Sequence, residues 1–197
     1  MIRVEDRNPR SRRFSAEGDF VERLEGSERR TLIPPERIVE SLKLSKRDRL
    51  LDIGAGTGYL SLPASKHAGR VIALDVQLEM LRVLAEKIAS NGARNIDLVR
   101  GEALSVPVVA NSVSHVLAAF VYHEVSDPDM LIAECYRVLG LRGHLTIVDF
   151  QKRETPIGPP VEERSSPEDV MSSASRYFDL VERQETDVFY SLRFRKR

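Results

Sequence analysis

The feature that most constrains this chain is a glycine-rich segment directly after a run of apolar residues. Residues 50–62 read LLDIGAGTGYLSL and place Gly54, Gly56 and Gly58 at alternate positions. Glycine loses more conformational entropy on folding than any other residue, and it is favoured where the backbone adopts a positive φ or approaches a ligand closely. A loop that leaves a parallel strand and enters a helix directs free backbone N–H groups at such a ligand. The segment therefore predicts a strand, a ligand-binding loop and a helix, in that order.

Short aliphatic runs alternate with helical spacings along most of the chain. Helices are predicted over residues 59–68, 76–92 and 128–140. A period-two pattern on both sides of Glu185 and Thr186 predicts a C-terminal antiparallel hairpin. Five runs predict strands: RLLDIG, RVIALD, NIDLV, VSHVLAAF and GHLTIVDF. The alternation predicts an α/β fold with a doubly wound, mostly parallel sheet and helices on both faces.

Three helix boundaries carry capping signals. Gly92 follows the second helical pattern and is predicted to end it. Asp127 with Pro128 next to it, and Ser166 with Pro167 next to it, match the preference for a polar cap followed by proline in the first turn. These signals predict helices that begin after residues 127 and 166.

Length favours one main domain. The 197 residues suit a domain over residues 34–197, preceded by a polar and charged N-terminal flank over residues 1–33. The flank is interpreted either as a lid that covers a ligand pocket through Phe14 and Phe20, or as a flexible tail.

Charge and cysteine usage narrow the classes of partner. The 30 Lys and Arg residues balance the 30 Asp and Glu residues, so neither nucleic acid nor a membrane is expected as a partner, and the basic chain ends are interpreted as solvated charge. The single cysteine, Cys135, lies on an apolar helical face and is predicted to be a core residue. No metal is predicted, because no cluster has metal-ligand spacing. The lack of a secretory pattern predicts a cytoplasmic protein, and the oligomeric state stays open.

Acidic residues follow the second and third predicted strands, at the edge where the glycine loop lies. Asp75 ends the second run, 17 residues after Gly58, where a carboxylate can accept hydrogen bonds from ribose hydroxyls. Glu102 follows the third run and can accept from an exocyclic amine of a base, with the Ala103 N–H facing a ring nitrogen and Val76 supplying an apolar face. The alternative is that both acids are solvated charges.

The loop spacing argues against a dinucleotide site. Such sites usually place glycine at the first, third and sixth loop positions. The sixth position here is Tyr59, and the third glycine stands at the fifth position. A nicotinamide-dependent oxidoreductase therefore remains only a less favoured alternative.

Taken in order, the motifs resemble those of the class I S-adenosylmethionine-dependent methyltransferases. The similarity covers residues 34–150 and includes LLDIGAGTGYLSLPAS, VIALDVQLEML and the segment from VRGEALSVPV to GHLTIVDF. It is strongest with the small-molecule branch that contains the ubiquinone/menaquinone-biosynthesis enzymes. The resemblance implies a Rossmann-like, seven-stranded sheet whose last strand is antiparallel. It also implies S-adenosylmethionine as cofactor, with S-adenosylhomocysteine as product.

The resemblance also implies roles for individual residues. It places Asp52 and the three loop glycines around the methionine part of the cofactor, and Phe120 near its sulfonium. Asp75 matches the ribose-binding acid, and Glu102 with Ala103 matches the residues that face adenine. Tyr59 offers a second aromatic face for the positive sulfur, with ordinary packing as the alternative. The predicted cofactor-binding residues are therefore Asp52, Gly54, Gly56, Gly58, Tyr59, Asp75, Val76, Glu102, Ala103 and Phe120.

The implied activity is methyl transfer to an unidentified, small-molecule acceptor. Transfer needs the acceptor atom in line with the S–CH₃ bond, which orientation alone can promote. If the acceptor carries a proton, a general base helps, and His123 in the segment FVYHEV is the candidate, with a capping or surface histidine as the alternative. A non-enzymatic module that binds the cofactor or its demethylated product is the second hypothesis, because methyl transfer needs no diagnostic catalytic residue.

Overall fold

The computed structural model describes residues 25–197. Phe14 and Phe20, on which the predicted lid contacts depend, lie outside the described residues. The helices are α1 (Ser27–Leu32), α2 (Pro35–Ser41), α3 (Ser61–Ser65), α4 (Leu78–Asn91), α5 (Pro128–Val138) and α6 (Pro167–Ala174), with a 3₁₀ turn at Val161–Glu163. The strands are β1 (Arg49–Ile53), β2 (Arg70–Asp75), β3 (Ile96–Arg100), β4 (Val113–Ala119), β5 (Leu139–Phe150), β6 (Phe178–Glu185) and β7 (Phe189–Lys196).

The strands form one seven-stranded sheet with the order β3-β2-β1-β4-β5-β7-β6. Strands β1 to β5 are mutually parallel. Strand β7 runs antiparallel to both of its neighbours, β5 and β6. The strand order reverses beside β1, whose neighbours are β2 and β4, and such a reversal opens a crevice at the carboxyl ends of the strands. The predicted doubly wound, mostly parallel sheet with an antiparallel C-terminal hairpin strand is confirmed.

Alternate residues of the central strands enter two separate apolar cores. In β1, Leu50 packs on the face that α2 and α3 cover, whereas Leu51 packs on the face that α5 and α6 cover. Cys135 is fully buried in the second core, as predicted. Both faces of a parallel sheet are buried, so its strands read as nearly continuous apolar runs.

The predicted helix caps are present. Gly92 ends α4 with a φ of 67°, in the left-handed region. The Asp127 carboxylate accepts a hydrogen bond from Met130 N at the start of α5, over 3.0 Å. Ser166 and Asp169 form a reciprocal capping box at the start of α6.

Two element boundaries differ from the prediction. The helix predicted over residues 59–68 is regular only over Ser61–Ser65, and after it Lys66 N and His67 N bond to carbonyls three residues earlier, as in a tighter turn. Strand β5 begins four residues before the predicted Gly143, since Leu139 already pairs with Val113 ahead of a register shift in the ladder.

The interpretation of the C-terminal basic residues as solvated charge is wrong for Lys196. This residue is only 7% exposed. Its Nζ donates to Leu139 O over 2.6 Å, to Tyr136 O over 2.7 Å and to Asn111 Oδ1 over 3.0 Å. Lys196 therefore satisfies carbonyls at the C-terminal end of α5, where the helix dipole favours a cation.

Two further features follow from residues 25–197. None of the helices in this range combines the length and apolar character needed to cross a bilayer. No group of three or more His, Cys, Asp or Glu side chains in this range is arranged to hold a metal ion.

Candidate active site

A cavity of about 440 Å³ lies at the carboxyl ends of β1, β2, β3 and β4. Ligand sites in proteins commonly have volumes of this size. Nine of the ten predicted cofactor-binding residues line it, the exception being Gly58. These nine are Asp52, Gly54, Gly56, Tyr59, Asp75, Val76, Glu102, Ala103 and Phe120.

The glycine loop is held against the end of β2 by one carboxylate. Asp75 Oδ2 accepts a hydrogen bond from Gly56 N over 2.8 Å, and Oδ1 accepts from Gln77 N over 2.8 Å. Gly56 has a φ of 53°, and a Cβ placed on it would meet no atom within 4 Å. The loop therefore needs glycine here for its backbone conformation, and the space beside it is open to a ligand.

Gly58 packs against a neighbouring helix. It is not among the residues that line the cavity, and its φ of 88° is unfavourable for other residues. A Cβ on Gly58 would overlap Leu84 Cδ1 of α4. Gly58 therefore allows the loop to pack against α4, and its contact with the cofactor stays a prediction.

Asp75 keeps acceptor capacity for a ligand after these bonds. Burial raises the pKa of Asp75, while the N–H groups of Gln77, Gly56 and Val76 oppose this shift by stabilising the carboxylate. An ionised carboxylate has about four lone-pair sites, so these N–H groups do not use all of them. The remaining sites can accept hydroxyl donors that enter the cavity.

Asp52 forms the floor of the cavity beneath the loop. It is 2% exposed, and its Oδ2 accepts a hydrogen bond from Ser61 Oγ over 2.5 Å. Burial raises the pKa of Asp52 to about 7; the Ser61 hydrogen bond opposes the shift, and the charge of Asp75 adds to it. A cationic ligand group next to Asp52 would stabilise its charged form.

Apolar side chains and one carboxylate follow β2 and β3 into the cavity. Val76 is 52% exposed, and both Val76 and the buried Met80 of α4 line the cavity. Glu102 and Ala103 also line it, in a turn closed by the hydrogen bond from Ser105 N to Glu102 O. Apolar surface with an acceptor nearby suits a heteroaromatic ring that carries an amine.

Aromatic and cationic side chains also line the cavity. The Tyr59 hydroxyl donates to Ile33 O over 2.6 Å, which connects the loop to the segment between α1 and α2. Phe120 has a φ of 60°, and its ring packs against that of Phe150 at a tilt of 44° with ring centroids 4.7 Å apart. The Arg29 guanidinium from α1 lies over the Phe120 and Tyr59 rings.

His123 lies beside the cavity but does not line it. Its Nδ1 is 2.7 Å from Asp149 Oδ1, and its backbone N–H donates to Asp149 Oδ2 over 3.1 Å. Burial lowers the pKa of His123, but the hydrogen bond and charge of Asp149, with the charges of Glu124 and Glu163, raise it above its ordinary value. Glu124 does line the cavity, and its Oε1 is 3.8 Å from His123 Nε2.

Comparisons with known proteins agree with this arrangement. A family model described as a methyltransferase domain matches residues 51–147. The chain is 27% identical to a SAM-dependent methyltransferase from Aquifex aeolicus, whose crystal structure superposes with a TM-score of 0.83 over 90% of this chain and 97% of that one. Residues 51–147 are thus similar to methyltransferase domains, and the chain shares its fold with a SAM-dependent methyltransferase.

Curated relatives place this methyltransferase domain near one branch of the family. It is 34% identical over 110 residues to the demethylmenaquinone methyltransferase of Thermobifida fusca, covering 56% of this chain and 46% of that protein. It is 33% identical over 123 residues to the ubiquinone/menaquinone biosynthesis C-methyltransferase UbiE of Pseudoalteromonas translucida, covering 60% of this chain and 49% of that protein. The chain thus spans about half the length of the curated relatives it matches.

Several residues in or beside the cavity were not predicted. Arg29 lies in the polar flank, where no local periodicity distinguishes it from solvated arginines. Met80 and Val121 read as ordinary core positions, and only the helix after β2 and the segment after β4 bring them to the cavity. Asp149, beside the cavity, is the last residue but one of the predicted strand GHLTIVDF, so its position beside the fourth strand end was an available signal.

Proposed function

We propose that this protein binds S-adenosylmethionine in the cavity at the carboxyl edge and transfers its methyl group to a small-molecule acceptor. The observation that carries the proposal is the convergence of the predicted residues from four strand ends on one cavity of about 440 Å³. The homologous methyltransferase domain supports it, because relatives along this segment carry that name.

The residues present fit an adenosyl-amino-acid ligand. Asp75 has acceptor sites for ribose hydroxyls, and the apolar surface of Val76 and Ala103, with Glu102 nearby, suits adenine. Asp52 and the open space beside Gly56 suit the amino-acid part. When bound, the cofactor supplies an electrophilic methyl group on a positively charged sulfur.

The chain's own contribution is orientation, exclusion of water and proton management. Phe120 and Tyr59 present aromatic faces that favour a cation nearby. Asp149 fixes the His123 ring through Nδ1, so Nε2 is the nitrogen that points toward Glu124 and the cavity side. We propose that His123 holds the proton that leaves the acceptor, with Glu124 between it and the cavity. The names of the relatives make naphthoquinols and benzoquinols the first acceptors to test.

The described end of the N-terminal flank, residues 25–33, is proposed to cover the acceptor side of a domain over residues 34–197. Its last residue supports a covering position: Ile33 is fully buried and accepts the Tyr59 hydrogen bond. Closure over a transfer site excludes water from the reacting groups.

Calorimetric titration with S-adenosylmethionine, S-adenosylhomocysteine and NAD tests the proposed cofactor. We expect binding of both sulfur compounds and no heat with NAD. Binding of NAD alone would overturn the interpretation of the glycine loop and with it the proposed function.

Turnover separates an enzyme from a module that only binds the cofactor. Radiolabelled S-adenosylmethionine is incubated with quinols and other small acceptors, and label in the extracted product is counted. Transfer to any acceptor supports the enzyme. Tight binding without transfer across the acceptor panel supports the binding module instead.

A further inference from the structure

The described part of the flank places one arginine inside the cavity. Arg29 of α1 lines it, and its guanidinium carbon lies 4.9 Å from the centroid of the Phe120 ring and 5.5 Å from that of Tyr59. Aromatic faces attract a guanidinium but accept no strong hydrogen bond from it. The two rings therefore orient the group and leave its N–H donors available.

The guanidinium lacks an acceptor within the described range. Arg29 Nε is buried, and among residues 25–197 nothing accepts a hydrogen bond from it. The neighbouring acid, Glu25, already accepts from Thr57 Oγ1 and Lys87 Nζ. A buried donor that lacks a partner is costly, and groups of this kind commonly await a ligand.

The distribution of charge in the cavity indicates what that ligand offers. The acids Asp52, Asp75, Glu102 and Glu124 line the cavity, and Arg29 is the cationic side chain among the described lining residues. Guanidinium groups form paired hydrogen bonds with planar carboxylates, and the fork geometry makes these bonds both strong and specific. The cavity is thus complementary to a ligand that has both donor groups and a carboxylate.

We propose that Arg29 binds a carboxylate that enters this cavity, through paired hydrogen bonds that include Nε. The inference rests on the proposed function, because the amino-acid end of S-adenosylmethionine is one source of that carboxylate. A carboxylate on the methyl acceptor is the other source. Either source gives Arg29 a role in selecting the ligand that the sequence did not indicate.

The test compares two nucleosides that differ in the carboxylate. S-adenosylhomocysteine carries the amino-acid end, and 5′-methylthioadenosine retains the nucleoside and the thioether without it. Both are titrated by calorimetry into the wild-type protein, Arg29→Gln and the control Arg30→Gln. Arg30 is exposed, lies on the same helix, and has its guanidinium carbon 5.6 Å from the Tyr59 ring centroid, so the control makes the same change of charge outside the cavity. Circular dichroism verifies that each variant is folded.

If the cofactor supplies the carboxylate, Arg29→Gln weakens S-adenosylhomocysteine binding roughly 10- to 100-fold, the loss typical of a hydrogen-bonded charge pair. Its affinity for 5′-methylthioadenosine and both affinities of Arg30→Gln stay within about twofold of wild type, as for a surface change. Equal losses for both nucleosides in Arg29→Gln would overturn the proposal, since Arg29 would then act through packing.

A third titrant, benzoate, identifies the other source. It is added to each protein saturated with S-adenosylhomocysteine, and also to each protein alone. If Arg29→Gln leaves both nucleoside affinities unchanged, benzoate binding that Arg29→Gln abolishes supports an acceptor carboxylate, and the lack of such binding overturns the proposal. If the wild-type protein binds neither nucleoside, the proposed function fails. In that case benzoate binding to the protein alone that Arg29→Gln abolishes supports the proposal for Arg29, and the lack of such binding overturns it.

Discussion

The two edges of the central sheet each carry an opening of similar size, and they differ in how their polar groups are satisfied. The cavity at the carboxyl edge has a volume of about 440 Å³, and a cleft at the amino edge has about 410 Å³. Residues 47–49, 111–115 and 140–144 line the amino-edge cleft. Volume therefore does not distinguish a ligand site from a surface cleft in this fold.

At the amino edge, the polar groups bond mainly to one another. Asp48 accepts hydrogen bonds from Ser45 N over 2.8 Å, Ser45 Oγ over 2.6 Å and Ser114 Oγ over 2.9 Å. The His115 and His144 rings stack with centroids 5.3 Å apart. These contacts hold together the segments at the starts of β1, β4 and β5, so we assign them a role in stability.

At the carboxyl edge, comparable groups keep free capacity that faces the opening. Asp75 accepts one hydrogen bond from the glycine loop and one from Gln77 N, which leaves acceptor capacity, and Arg29 Nε has no acceptor among residues 25–197. The difference follows from strand polarity, because chains that leave parallel strands enter helices there and turn N–H groups toward the crevice. Unused bonding capacity, rather than volume, is what marks the site.

The largest expected difference between the edges is in cofactor affinity after loss of a carboxylate. Asp75→Ala should weaken S-adenosylmethionine binding by about 1–3 kcal/mol, because hydrogen bonds to ribose are lost. The matched change Asp48→Ala also removes an acceptor of several hydrogen bonds, but at the opposite edge. It should lower thermal stability and leave affinity unchanged. Calorimetry with a thermal melt of each variant measures both effects, and unchanged affinity in Asp75→Ala would remove Asp75 from the site.

The second expected difference is the sign of the pH dependence of stability. The pKa of Asp52 is raised from 3.8 to about 7, because burial disfavours its charged form in the folded state. Its contribution to the free energy of unfolding is therefore fully present below about pH 4 and is lost as pH rises from about 4 through 7. Burial lowers the pKa of His115 from 6.5 to about 4, despite the opposing charge of Asp48, so its contribution is lost as pH falls from 6.5 through 4.

Urea unfolding of Asp52→Asn and His115→Gln between pH 4 and pH 7 measures these two contributions. Relative to wild type, Asp52→Asn should gain stability as pH rises, and His115→Gln should gain stability as pH falls, each on the order of 1–3 kcal/mol across the window. Changes of the same sign in the two variants would contradict the assignment of opposite environments to the two edges.

The smallest expected effect concerns two histidines observed by NMR. The pKa of His123 should lie above its ordinary value of 6.5, because Asp149, Glu124 and Glu163 outweigh its burial. His115 should titrate near 4. Asp149→Asn should lower the pKa of His123, since it removes the adjacent charge. The His115 resonance serves as the internal control, and a His123 titration that does not respond to Asp149→Asn would disprove the coupling.

Much of the architecture could be predicted because it depends on local patterns. Aliphatic runs of strand length, helical spacings between them and the caps at Gly92, Asp127 and Ser166 each act within a few residues. The early start of β5 and the burial of Lys196 could not be predicted, because both depend on segments that lie far away in the chain. Leu139 pairs with Val113, and Lys196 bonds to the end of α5.

The candidate site likewise combines features that local sequence predicts with features that depend on distant segments. The glycine loop, Asp75 and Glu102 were available to sequence reasoning, because each follows a strand and the carboxyl ends of parallel strands share one edge. The loop spacing did not reveal that Gly58 packs against Leu84, since that contact depends on where α4 packs.

The sequence by itself determined which strand ends meet and which chemical groups they carry, because strand polarity and side-chain type are properties of the chain. Only the tertiary structure decided how those groups are used. It brings Arg29 across from a separate helix to the aromatic side chains of the cavity, and it pairs His123 with Asp149 of the neighbouring strand. Such roles depend on distances between segments that are remote in sequence, and packing of the two apolar cores sets those distances.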